Sequence, residues 1–580
     1  MADSAKYVIG LDLGTLSGRA VVARVSDGRI LGTHVTEYAH GVMDRKLTAG
    51  DGQSLPPEFA LQVPNDYVEV LKEAIPAAIK DAGIDKEDII GIGVDATSAT
   101  VFVTDAEGKP LNEYDEFKNN PHAYIKLWKH HGAQEQADRL VAAAEERGED
   151  WLPRYGGVLS SELLMPKALE LYEKAPEVYE KADVIVELLD WVTWKLTGER
   201  TQAAGDSGYK RQYQDGEYPS EEYLESVSEG FGKVFSEKMN APVLPLGAKV
   251  GEVTEEAAEL TGLPAGIAVA SGNIDAHVHV AGVNAVRPGQ MTAIMGTSSC
   301  YIVNSEDYKD VPGIFGTVDG GAVEGLWGFE GGQSAVGDVF AWFIDNCVPE
   351  EYTQDARNRG ISIHQYFENL VKDQEIGEHG IVALDWHNGN RSILSDARLS
   401  GLIVGQSLTS SPEDTYRALL EATCFTARTI IENFVDHGVP VTEIVAAGGL
   451  LKNKTLMQMM ADITRLPITI TKEAQAGALG SAVFAAVAAG AYDDVRQAAD
   501  AMAHVEKDAY TPNEEASKKY DELFEVFMEL HDYFGRESKL MHKLKTIRAK
   551  ALESKAASGR KSDIEVPKKR RSDLAIEAEG

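Results

Sequence analysis

The sequence predicts an α/β protein built from two large domains, and three observations carry that expectation. Apolar β-type runs alternate with amphipathic helical stretches along most of the chain, the pattern of sheets layered with helices. The 580 residues exceed one ordinary domain of roughly 100–200 residues. Two segments are also alike in kind, each a β run, a small polar Gly-Thr turn and a second β run. They are Tyr7–Gly14 (YVIGLDLG) with the strand that follows, and Gln290–Ser299 (QMTAIMGTSS) followed by CYIV. Their likeness points to an internal duplication.

Taken in order, Tyr7–Gly14 reads as a buried strand, and Val22–Ile30 as a second one carrying its own Asp27-Gly28 hairpin signal. Asn65–Ala82 has helical periodicity. The strand Ile89–Asp95 runs into further β-type residues, Thr97–Thr104, and Leu163–Lys181 reads as a helix. The strand Ile267–Ser271 leads to a helix opening at Asp275. The Arg287-Pro288-Gly289 turn then marks a boundary, giving domains over residues 1–285 and 286–544. In the second domain Pro412–His437 is a long amphipathic helix, with Thr415, Leu419, Ala422 and Phe425 on one face. The strand Glu443–Ala447, the turn Gly448-Gly449, the helix Lys454–Thr464 and the strand Ile468–Thr471 follow. The apolar stretch Ala478–Tyr492 is shorter than the ~20 residues of a membrane span and reads as a buried helix. Residues 545–580, rich in Lys, Glu, Ala and Ser with KKRR at 568–571, read as a disordered charged tail.

The formal net charge of −36 makes nucleic acid and anionic membranes poor partners. It also repels a nucleotide at long range. A nucleotide site here must make its own positive field from backbone N–H groups, a few cations and a metal. The three cysteines, Cys300, Cys347 and Cys424, have neither metal-ligand spacing nor a disulfide framework, which suits a reducing cytosol. The N-terminus lacks the charged and apolar regions of a secretory signal, so a cytoplasmic location is expected.

Several short patterns lead nowhere. Gly91-Ile-Gly93-Val-Asp95-Ala96 fits a dinucleotide fingerprint, but β-type residues continue where that fingerprint needs a helix. Gly205-Asp206-Ser207-Gly208 spells a serine-protease tetrad without its partners and reads as a turn. His277 and His279 would point to different faces of a helix and make a poor metal pair. There is no G-x-x-x-x-G-K-[ST], so an ATP site would not be of the Walker type.

Asp12-Leu13-Gly14-Thr15 ends a strand in a tight turn. A carboxylate there suits a Mg²⁺ held through water, with Gly14 and Thr15 letting backbone and hydroxyl approach phosphate. Gly296-Thr297-Ser298-Ser299 is a second such turn in the other half. Gly448 and Gly449, with Asn453 near the start of the next helix, leave bare backbone on which a flat ring can lie. Asp275 opens a helix, where an acid can cap the helix or serve as a general base. In this order the pieces resemble the FGGY family of carbohydrate kinases over residues 7–540. The resemblance implies two actin/hexokinase-like (ribonuclease H-like) domains with the active site in the cleft between them. It further implies ATP and Mg²⁺ as cofactors, phosphate binding by DLGT and GTSS, adenosine binding by AAGG, and Asp275 as the base that deprotonates the sugar hydroxyl. Phosphoryl transfer needs mostly positioning and charge stabilisation, so this sparse set suffices.

Within that family the sugar-side segments are most similar to the members that phosphorylate L-ribulose. These segments are Gly93–Thr97, Asn120–Ala123 with Leu127–Lys129, Tyr155–Gly157 with Ser160–Glu162, Glu187–Trp191, and the insertion Asp44–Val63. The same resemblance places Ala96, Lys210, Asp275 and Glu330 around a ketopentose. Ala96, where relatives carry a hydroxyl residue, is a departure that bears on sugar preference rather than reaction type. The competing readings are a D-ribulose or D-xylulose kinase of the same family, and an actin-like ATP-binding protein or sugar-responsive repressor. The net charge and an Asp12 turn so near the N-terminus disfavour a DNA-binding repressor, and a base facing a sugar disfavours a filament. The expected partners are ATP and a small sugar, with a homodimer compatible.

Overall fold

The computed structural model describes residues 5–557. Each half is organised around one mixed sheet. The first half supplies β1 (Tyr7–Leu13), β2 (Ser17–Arg24), β3 (Ile30–Glu37), β4 (Ile89–Ala96) and β5 (Ala268–Ala270). The second supplies β6 (Gln290–Met295), β7 (Ser299–Ser305), β8 (Trp327–Gln333), β9 (Glu443–Ala447) and β10 (Ile468–Thr471). Within the two seven-stranded sheets these strands lie in the orders β3-β2-β1-β4-β5 and β8-β7-β6-β9-β10. In both, the first three strands in sequence are antiparallel and the last two run parallel to the first. The duplication legible in the two Gly-Thr hairpins therefore extends to the topology of both sheets. β1 and β4 are apolar along nearly their whole length because both faces are covered.

The two halves exchange a helix. Helix α1 (Asp275–Gly282) leaves the first sheet and packs on β6 and β7, while α2 (Ala476–Ala488) leaves the second sheet and packs on β1 and β4. Glycines allow this close packing. A Cβ at Gly10 would fall on the carbonyl of Ala478, one at Gly93 on that of Ser481, and one at Gly480 on that of Val278. A small third sheet, Leu61–Gln62, Ile125–Lys126, Val101–Thr104 and Val184–Glu187, carries the insertions of the first half. Buried Lys167 ties two of its loops together, donating to the Ala99 and Leu127 carbonyls.

Several sequence expectations need correction. The strand expected over Val22–Ile30 is the end of β2, a turn and the first residue of β3. Residues 97–100 form a turn with Ala99 at φ 48° before the strand Val101–Thr104. The helix expected over Leu163–Lys181 is two helices, Leu164–Lys174 and Pro176–Lys181, because Pro176 disfavours a helical Ala175. Gly205–Gly208, expected as a turn, lies in the helix Ala204–Arg211. The helix Leu540–Ala557 occupies the first part of the expected tail. Met541 is buried, His542 lies 2.6 Å from Asp396, and Lys545 donates to the Ala397 carbonyl. The rest of the tail lies outside the described residues. Among the described residues no helix is long and apolar enough to cross a membrane.

Candidate functional site

The parallel registers place three polar residues side by side. Asp12 of β1 pairs with Asp95 of β4, which pairs with Asn273, and one residue further on Leu13, Ala96 and Ile274 form the next row. Asp275 follows directly as the first residue of α1. Ala96 thus lies beside the strand end that delivers Asp275. Asp95 is fully buried, and its carboxyl meets the Ser481 hydroxyl of α2. Burial, then the charge of Asp12, push Asp95 well above the usual carboxylate range. Asp275 receives the Ala276 N–H on Oδ1 at 2.7 Å. Burial and then the Asp12 charge raise Asp275, the Ala276 N–H and Lys210 pull it back, and it settles at about 7.

Lys210 and Glu330, 120 residues apart in sequence, form a buried pair at 3.3 Å. Lys210 rides on the helix Ala204–Arg211. Arg211 anchors that helix among Asp190, Asp206 and Gln202, all buried. Two glycines sit in this short helix because a Cβ at Gly205 would strike Asn273 and one at Gly208 would strike Val318. Packing there overrides low helix propensity. Glu330 projects from β8 and meets His277 Nε2 at 3.3 Å and Arg391 Nη2 at 2.7 Å. Burial alone would raise the Glu330 carboxyl, but Lys210, His277 and Arg391 outweigh it and hold the group well below its ordinary value. Burial lowers His277.

The glycine turns lie at the carboxyl ends of the central strands, where ligands of open α/β sheets bind. Gly14 N–H closes its turn onto the Ser17 carbonyl, and Gly296 N–H closes onto that of Ser298. These glycines therefore shape the turns rather than offer those donors. Thr15 presents its hydroxyl, which accepts the indole N–H of half-exposed Trp128 at 3.1 Å. Thr297 is pinned from behind, its carbonyl accepting the N–H groups of Val336 and Asp338, and Ser298 completes the turn. In the second half, Gly448 has φ 103° and packs against the Met295 carbonyl, while a Cβ on Gly449 would meet nothing within 4 Å. Asn453 caps the helix Lys454–Thr464 through the Leu456 N–H.

The structure thus brings the expected sugar-side residues Lys210, Asp275 and Glu330 together where the first half meets the second, with Ala96 beside Ile274, the residue before Asp275. It sets the expected nucleotide turns at the strand ends of each half. Sequence reasoning missed Arg391, named Asp95 only as part of the sugar-side segment Gly93–Thr97, and considered His277 only as a metal ligand. Among the described residues no group of three or more His, Cys, Asp or Glu could hold a metal ion.

The N-terminal domain model of the FGGY carbohydrate kinases matches residues 7–282 and the C-terminal domain model matches 291–489. A ribulokinase of Mycolicibacterium smegmatis is 50% identical over 546 residues, spanning 94% of this chain and 97% of that protein. A ribulokinase of Geobacillus thermodenitrificans is 44% identical over 548 residues, covering 93% of this chain and 97% of its own. Among solved structures, a gluconate kinase from Lactobacillus acidophilus superposes with a TM-score of 0.75 at 19% identity, over 92% of this chain and 99% of that one. A xylulose kinase from Rhodospirillum rubrum gives 0.73 at 23% identity, over 91% and 98%. With both family domains matched in order across two sheets of one topology, the chain belongs to the FGGY family of carbohydrate kinases.

Proposed function

We propose that this carbohydrate kinase transfers the γ-phosphoryl group of ATP to a hydroxyl of L-ribulose, giving L-ribulose 5-phosphate in L-arabinose catabolism, with Asp275 as general base. The observation that carries the reading is Asp275 itself. It is a carboxyl at a helix start beside the Lys210–Glu330 pair, with a proton affinity near neutrality, which is where a general base works best. The choice of ketopentose is supported by the relatives named ribulokinase.

In this mechanism Lys210 and Glu330 bind sugar hydroxyls, and Ala96 leaves room beside them. Asp275 Oδ1 is occupied by the Ala276 N–H, so Oδ2 accepts the proton of the reacting hydroxyl. The freed sugar oxygen bonds to the γ-phosphorus as the bond to the bridging oxygen breaks, and ADP leaves. Thr15, Thr297 and Ser298 hold phosphate oxygens, while Gly448 and Gly449, with Asn453 beside them, take the adenosine part. Asp12 is partly exposed and only loosely paired with Arg19 at 3.4 Å. That suits a hydrated Mg²⁺ better than a fully protein-ligated one. When bound, Mg²⁺ supplies charge neutralisation on the phosphates. We place the domain division at 285/286, between the two sheets, and the enzyme in the cytoplasm; a homodimer is compatible with this reading.

The test is a coupled ADP-release assay over L-ribulose, D-ribulose, L- and D-xylulose, ribitol, glycerol and L-arabinose. L-ribulose should give the highest kcat/KM. A higher value for D-ribulose or D-xylulose overturns the substrate, and ATP hydrolysis indifferent to every sugar overturns the kinase mechanism.

A further inference from the structure

Glu330 has two oxygens in unequal settings. Oε2 faces Lys210 and His277, each at 3.3 Å, while Oε1 is held by Arg391 Nη2 at 2.7 Å. The other neighbour of Oε1 is the Cys300 thiol at 3.8 Å, a weak donor. The short, charge-assisted contact that fixes this carboxylate is therefore the one to Arg391. Arg391 and Lys210 also share an aromatic surface, the guanidinium carbon lying 4.1 Å and Lys210 Nζ 4.5 Å from the centroid of the Phe315 ring. Phe315 is in turn joined to Glu330 through its backbone, its N–H donating to the Glu330 carbonyl at 2.7 Å. Two cations, one anion and one ring thus form a closed clamp. Its members come from the helix Ala204–Arg211 of the first half, from β8, from the loop that carries Arg391, and, for Phe315, from the residue before the strand Gly316–Asp319.

We propose that Arg391 is a positioning residue of the sugar pocket, fixing Glu330 against Phe315 so that Lys210 and Glu330 meet the hydroxyls of a polyol in one geometry. The inference rests on the assignment of Lys210 and Glu330 to the sugar. With Arg391 removed, Oε1 keeps only the thiol. The carboxylate is then free to swing onto Lys210 and occupy the ammonium that a sugar hydroxyl would use. The pocket also changes from two cations around one anion to a neutralised pair, which presents fewer free donors. Arg391 keeps a buried Nε–H without a protein partner among the described residues, and its side chain remains 26% exposed. The guanidinium therefore borders open space as well as holding Glu330. The loop has a second tie to β8, where the Ser392 hydroxyl receives the Gly332 N–H at 3.1 Å.

The experiment compares Arg391→Met and Arg391→Lys with wild type in the full-length enzyme, reading KM for L-ribulose, KM for ATP and kcat separately. Losing a charge-assisted contact to a buried carboxylate should raise the sugar KM roughly ten- to a hundred-fold. The ATP KM should stay within about twofold. Arg391→Lys should recover part of the loss, since it keeps the charge without the planar fork. A purely structural role would instead lower the melting temperature and raise both KM values together, and that result overturns the proposal. So does a sugar KM unchanged in Arg391→Met. If Arg391→Met fails to fold, Arg391→Gln is read in its place. If wild type turns over none of the ketopentoses, the substrate assignment has failed. Arg391 is then judged on sugar binding by calorimetry with whichever sugar of the panel wild type binds best, and unchanged binding in the variants overturns its role. Wild-type calorimetry with no heat for any sugar of the panel overturns it as well.

Discussion

Replacing Asp275 by Asn keeps the size of the side chain and an oxygen for the Ala276 N–H, but removes the group that takes the proton. Turnover should fall roughly 10²- to 10⁴-fold, with ATP affinity little changed. The structure gives a second, independent magnitude. This carboxyl ordinarily ionises near 3.8 and here at about 7. Each pH unit of that displacement is worth about 1.4 kcal/mol, so ionising it in the folded protein costs at most about 4 kcal/mol. The residue is half-buried. Solvent that reaches it makes that figure an upper bound. The sign follows from proton counts: between the two values the unfolded chain has lost this proton and the folded protein has kept it. Wild-type stability therefore falls as pH rises through that window, and the full penalty is present above about pH 7. Asn carries no such slope. Urea unfolding should find the variant more stable than wild type by up to about 4 kcal/mol at pH 8, with a smaller gain at pH 5. A variant that keeps more than about a tenth of wild-type kcat refutes the base assignment. An equal stability difference at the two pH values refutes the electrostatic argument behind it.

Other consequences are open to measurement. The acid limb of kcat/KM against pH should lie near 7, rising as Asp275 loses its proton, and Asp12→Asn should move that limb to lower pH because the Asp12 charge raises Asp275; a limb that stays in place in Asp12→Asn removes that coupling. Gly449→Val should fold, because its Cβ enters open space, and should raise the KM for ATP while sparing the sugar KM. Gly448→Ala should instead lose stability, since its φ of 103° and the Met295 carbonyl leave no room for a side chain. Truncation after residue 557 should preserve activity and melting, whereas truncation after 539 removes Met541 and the His542–Asp396 contact and should lower the melting temperature. Ketopentose with a non-hydrolysable ATP analogue should shrink the radius of gyration in solution scattering; a constant value in active enzyme rules out large-scale closure.

What was legible in the sequence was whatever periodicity and turn chemistry encode locally. The long helix Pro412–Asp436 and the strands at Tyr7, Ile89, Gln290 and Glu443 all lie where apolar pattern places them. What failed was decided by distant partners. The helix Ala204–Arg211 holds two glycines that argue against a helix locally, and it forms because Asn273 and Val318 leave no room for larger residues. Arg391 lies in a loop without pattern, and its meaning comes from a carboxylate 61 residues away. By its spacing to His279, His277 suggests only a poor metal pair, but its neighbour is Glu330. Asp95 gives no sign in sequence that it will be wholly enclosed, and that enclosure comes from Ser481 on a helix of the opposite half.

That exchange of helices has a consequence for how the protein can come apart. Each sheet is roofed in part by a helix that the chain reaches only after, or before, building the other sheet. Cutting the gene at the apparent boundary would leave β1 and β4 without Ala478, Ser481 and Ala485 against their glycines, a bare apolar face in one fragment and a stray apolar helix in the other. Two units that look separable on paper are then a single cooperative block. Calorimetry should record one heat-absorption peak rather than two, and neither fragment should be soluble unless both are synthesised in the same cell.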